Sequence, residues 1–186
     1  MKHLFFVLCL IVSVCIFSAF ITPSENARGV RVADTDGGYL IVGTKTTQVK
    51  GPCDVWLIKT NALGEEIWSR TYGGNSYDKG TDVQPTRDGG YLIVGHTSSY
   101  GAGNYDVFLI KTDAKGKQLW NKVYGDFFNE YGYSIEETSR ANFLIRGKKQ
   151  FCSGNNVGNC FDLPWQLLVD AEGNILESRT ETEREY

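Results

Sequence analysis

The stretch DGGYLIVG at Asp36–Gly43 recurs letter for letter at Asp88–Gly95, and CDVWLIKTNALGEEIW at Cys53–Trp68 returns as YDVFLIKTDAKGKQLW at Tyr105–Trp120. Both pairs sit 52 residues apart, and an ungapped comparison of Asp36–Gly73 with Asp88–Gly125 gives 20 identities in 38 positions. Chance does not supply that, so the chain is built from repeats. A third copy keeps the register with fewer letters. Gly132, Ile135 and Thr138 stand where the second copy has Gly80, Val83 and Thr86. Phe143, Leu144, Ile145 and Gly147 stand where it has Tyr91, Leu92, Ile93 and Gly95, and FDLPWQLLVDAEGNIL (Phe161–Leu176) follows as the counterpart of the Tyr105 segment.

Each copy reads as four short strands. In the second they are Gly80–Thr86, Tyr91–Thr97, Asp106–Thr112 and Gln118–Tyr124. Glycine accepts a positive φ and Asp hydrogen-bonds the backbone two residues on, so DGG and DAKG close tight hairpins between them. The runs LIV and VFLI are continuous rather than alternating, which predicts inner strands covered on both faces. Helical periodicity is absent after the N-terminal segment. The reading is therefore all-β: three four-stranded antiparallel repeats of about 52 residues, at 29–74, 75–126 and 127–178, followed by a polar tail at 179–186. A unit of this length made of four strands is the pattern of a β-propeller blade. A partial propeller and a β-trefoil both accommodate three such units.

The paired motifs DGGYLIVG and YDVFLIKTDAKGKQLW, with the junction YGGNSYDKG at Tyr72–Gly80, resemble the repeats of secreted and cell-surface β-propeller proteins of bacteria and archaea. The resemblance spans about Gly29–Ser178 and is weakest in the third copy, where Arg140, Ala141 and Asn142 replace the DGG turn and Glu177 replaces the fourth-strand Trp. It implies a propeller-like fold and an extracytoplasmic location, and brings no catalytic residue with it. Propellers close with four to eight blades. Three blades leave an open arc, or two chains completing a six-bladed ring as a homodimer.

The N-terminus agrees with export. Lys2 and His3 lead into an uncharged apolar run of 18 residues, Leu4–Ile21, which reads as a secretory signal over residues 1–19, with 20–28 as a short linker. An uncleaved signal would instead leave a membrane anchor. Without residues 1–19 the charge count is 18 basic against 22 acidic, a net −4, so the chain has no basic excess for nucleic acid. Three cysteines then remain in an oxidising compartment. Cys152 and Cys160 bracket a short polar loop and are expected to pair, leaving Cys53 as a thiol available to a second chain.

Candidate site residues are few. Asp54, Asp106 and Asp162 recur once per repeat, as do the aromatics Trp56, Phe108 and Trp165. Acids at one blade position could gather around a channel and take a ligand, or could cap their strands by local hydrogen bonds. The aromatics read either as a ligand platform or as core between sheets. Trp68, Tyr72, Trp120 and Tyr124 would stack on sugars if they faced solvent. His96 lacks a GxSxG-type nucleophile elbow. Asp34 and Asp36 lack the closing Glu of an EF-hand loop. The expectation is a secreted binding or interaction module with a protein or self partner and no evident catalytic site, metal or cofactor. A lectin-like glycan binder is the first alternative and a metal-dependent hydrolase the second.

Overall fold

The computed structural model describes residues 30–46, 52–152 and 160–181. Residues 1–29, which include the expected signal and linker, lie outside that range, as do 47–51, 153–159 and 182–186. Every regular element described is a strand. Sheet 1 holds β1 (Val30–Ala33), β2 (Tyr39–Thr46), β3 (Cys53–Thr60) and β4 (Glu66–Tyr72). Sheet 2 holds β5 (Asp78–Pro85), β6 (Tyr91–Thr97), β7 (Asp106–Thr112) and β8 (Gln118–Tyr124). Sheet 3 holds β9 (Glu130–Glu137), β10 (Phe143–Cys152), β11 (Cys160–Val169) and β12 (Ile175–Thr180). Each is an antiparallel meander in chain order, and among the described residues no named strand pairs with a strand of another sheet, a single parallel bridge between Tyr105 and Asn129 linking sheets 2 and 3. Three boundaries differ from the sequence reading, one being the end of β5 at Pro85 rather than Thr86. β5 starts at Asp78 rather than Gly80, because Asp78 and Lys79 pair with Thr97 and His96. Arg179 and Thr180, assigned to the tail, belong to β12 and pair with Gln166 and Trp165.

The DGG hairpins form as their chemistry dictates. Gly89 takes φ +79° and donates its N–H to the Thr86 carbonyl, and the next N–H, of Gly90, is accepted by the Asp88 carboxylate. In the third repeat the left-handed position falls on Ala141, at φ +61°, so the turn persists without its glycine.

Packing between sheets explains the doubly apolar strands. Leu40, Val42, Val55 and Leu57 of sheet 1 bury against Ile93, Phe108 and Ile110 of sheet 2. The opposite face of sheet 2, Leu92, Val94, Val107 and Leu109, buries against Phe143, Ile145, Trp165 and Leu167 of sheet 3. Each seam is pinned the same way. Tyr72 donates its hydroxyl to the Gly116 carbonyl at 2.7 Å, and Tyr124 does so to Gly173 at 2.7 Å, while Trp68 and Trp120 lie against those same glycines. The innermost strands are tied as well: the Asp82 carboxylate accepts the Ile135 N–H at 2.9 Å. These four aromatics are thus seam residues, not solvent-facing sugar platforms.

The two ends of the stack differ. On sheet 1 the outward positions Ile41, Trp56 and Ile58 form a separate apolar cluster. On sheet 3 the positions equivalent to Val94, Val107 and Leu109 are Arg146, Pro164 and Gln166, as the β10–β11 register shows. Arg146 pairs with Glu136 at 2.7 Å and Lys148 with Asp162 at 2.6 Å across that outer face. A terminal repeat with a polar outer face is how a stacked array ends.

Candidate functional site

The antiparallel order brings the β6–β7 connection to the end where the links β4–β5 and β8–β9 also run, the end at which Thr46 pairs with Cys53 in sheet 1 and Cys152 with Cys160 in sheet 3. At this end the chain repeats a second feature: a pair of carboxylates against a glycine. Asp54 and Asp78 flank Gly73, and one repeat later Asp106 and Glu130 flank Gly125, so close that a Cβ on either glycine would collide with both acids. Asp78, Asp106 and Glu130 are fully buried, whereas Asp54 is half-buried.

The two pairs are satisfied differently. Asp78 accepts the Gly74 N–H at 2.8 Å and the Ser99 hydroxyl at 2.6 Å, and its other oxygen accepts the Thr97 hydroxyl. Burial and the Asp78 charge push the Asp54 carboxyl above its ordinary range. In the second pair Asp106 accepts the Gly103 N–H at 3.2 Å. Glu130 accepts the Asp126 N–H at 3.1 Å through Oε2, while its Oε1 has no hydrogen bond and faces the Lys149 ammonium 3.7 Å away. Burial, with the Asp126 charge adding to it, raises the Glu130 carboxyl to about 7. The Asp106 carboxyl is raised by burial too.

Beside the second pair opens a cavity of about 500 Å³ lined by Ser76, Ser98, Gly103, Asn104, Tyr105 and Asn129. The Ser76 and Ser98 hydroxyls share a hydrogen bond of 2.8 Å. Asn129 accepts the Tyr105 N–H at 3.2 Å and donates to the Gln150 side chain at 2.9 Å. Behind Tyr105 lies His96, edge-on to Tyr105 at 5.6 Å and to Tyr131 at 4.9 Å between ring centroids. Burial, reinforced by Lys79 and Lys148, holds this imidazole down at about 4. It is therefore neutral, and its buried Nδ1 has no hydrogen-bond partner, so it lacks the orienting carboxylate a catalytic base needs.

Of the candidates read from sequence, Asp54 and Asp106 reach this end, each in its own junction. Asp162 does not match them. Gly43, Gly95 and Gly147 face Trp56, Phe108 and Trp165, which makes those three aromatics equivalent, but the residue two before Trp165 is Leu163. Asp162 is one position out of step and lies on the opposite, exposed face, paired with Lys148. Trp56, Phe108 and Trp165 are 4%, 1% and 6% exposed, so they pack and present no platform. Among the described residues no three His, Cys, Asp or Glu side chains come together as metal ligands. Cys152 and Cys160 are bonded to each other across β10 and β11. Cys53 is free and half-buried, and burial, with the charges of Asp78 and Asp54, raises its thiol, which makes it a poor nucleophile for an intermolecular disulfide. Asp78 and Glu130 escaped the sequence reading, although they stand 52 residues apart within YGGNSYDKG and its decayed copy YGDFFNEYG.

Compared with known proteins, the chain matches no family model and no curated protein sequence.

Proposed function

We propose that this protein is a secreted, partial β-propeller that acts as a binding module, with the loop end carrying the buried acid pairs as its recognition surface. The single observation that carries the reading is the polar, solvent-open depression of about 500 Å³ at that end. Three separate meander sheets stacked face to face favour blades over a trefoil, which pairs strands of different repeats in one barrel. The Cys152–Cys160 bond favours an oxidising compartment. An open stack is favoured over a two-chain ring, since ring closure would bury the Arg146–Glu136 pair against the apolar face of another sheet 1.

The test is binding of the secreted protein to protein and glycan arrays beside a Ser98→Ala/Asn104→Ala variant. A ligand captured by the wild type and lost from the variant is the expected result. Ligands held equally by both, or none at all, would sink the reading. Export is tested by N-terminal sequencing of the secreted product, which should begin after Ser18 or Ala19.

A further inference from the structure

We infer that the cavity formed by the β4–β5, β6–β7 and β8–β9 connections receives a neutral, hydroxyl-rich ligand, an uncharged oligosaccharide; this rests on the loop end being the recognition surface. The first argument is chemical. No lining residue carries a charge, and the lining presents the Asn104 amide and the Tyr105 ring beside the Ser76–Ser98 hydroxyl pair and the Asn129 amide, which are hydrogen-bonded within the fold. Such groups donate and accept in equal measure, as sugar hydroxyls require, and leave an ionic ligand without a counter-charge. The acids beside the cavity are buried within the junction, Glu130 at 0% exposure and Asp106 at 1%, so they do not present a charge to a ligand.

The second argument comes from the repeat. Residues that build the seams recur at a spacing of 52: Tyr72 with Tyr124, Gly73 with Gly125, Trp68 with Trp120. Among the cavity residues from Ser98 to Asn129 only Gly103 recurs, as Gly51. One repeat earlier Asn104 is Pro52, Tyr105 is Cys53, Asn129 is Tyr77 and Ser98 is Thr46. Ser98 and Asn129 also hold the backbone of Tyr77 and Tyr105, so within the polar set it is Asn104 that folding does not demand. Asn104 is exposed and its side chain makes no hydrogen bond among the described residues, which leaves the whole amide for a ligand.

The test is a calorimetric titration of the secreted protein with neutral glucan, galactan, mannan and chitin oligosaccharides and with charged uronate and sulfated ones. A neutral oligosaccharide should bind, and Asn104→Ala, whose side chain supports nothing in the fold, should weaken it about tenfold without moving Tm. Preference for charged glycans, neutral binding unchanged in Asn104→Ala, or no glycan binding would each overturn the inference. If a protein ligand on the arrays is nonetheless lost from the Ser98→Ala/Asn104→Ala variant, the loop end remains a recognition surface and only the ligand class is wrong.

Discussion

Glu130 and His96 show how single buried groups set the pH response of a junction. Glu130 has its carboxyl raised from 4.5 to about 7, so the fold favours its neutral form. The stability it contributes is complete below about pH 4.5 and is lost as pH climbs through 7. His96 is depressed from 6.5 to about 4, and its contribution is complete above pH 6.5 and lost as pH falls through 4. Between pH 4.5 and 6.5 the two slopes oppose each other. Glu130→Gln should therefore give a Tm that rises across that window, and His96→Gln one that falls, with the wild type flatter than either by circular dichroism. A wild-type profile as steep as that of Glu130→Gln would contradict the assignment. Ala141 is a second residue whose environment predicts a measurable change. It occupies the left-handed position that Gly89 fills one repeat earlier. Ala141→Gly should stabilise the protein by about 0.5–1 kcal/mol in urea denaturation, relief of the steric cost outweighing the added freedom of the unfolded chain.

Among the elements, strands and turns were legible because each is decided by neighbours in sequence: DGG and DAKG by the conformation of glycine, LIV and VFLI by continuous burial. Asp162 was misplaced for the opposite reason. Its register depends on β10 and β11 pairing over ten residues each, out to Cys152 opposite Cys160, and no local motif announces which residue faces Gly147. The carboxylate pairs depend on β4 and β8 ending beside β3 and β7, a contact made by topology, so Asp78 and Glu130 drew no notice as single letters. Seam energetics follow from the same geometry. Phe108→Ala should cost about 3–5 kcal/mol by urea denaturation, since the ring is 1% exposed between two sheets. Tyr124→Phe should cost about 1–2 kcal/mol, because it strands the buried Gly173 carbonyl without a donor. If both substitutions proved neutral, the sheets would not be packed as described.

For the whole molecule, the asymmetry between its ends decides how far the stack extends. The interior of both seams is aliphatic and aromatic, whereas the outer face of sheet 3 carries Arg146, Pro164 and Gln166 at the positions of Val94, Val107 and Leu109. Restoring two of them, Arg146→Val with Gln166→Leu, should turn that face into a seam surface and raise the mass with concentration in analytical ultracentrifugation. A variant sedimenting as the wild type does at every concentration would show that these side chains do not cap the stack. The equivalent positions were readable in the sequence, yet their meaning appears only once the sheets are stacked, since polarity on a strand says nothing until a face is assigned to it. Both seams use interchangeable parts: Trp68, Tyr72 and Gly116 in one, Trp120, Tyr124 and Gly173 in the other. An in-frame duplication of residues 75–126 would therefore create a four-sheet protein whose added contact sets the Trp120–Tyr124 face of one copy on the Gly116 face of the next, two faces the parent already packs against sheets 3 and 1, so copy number can drift by recombination with no new kind of seam having to evolve.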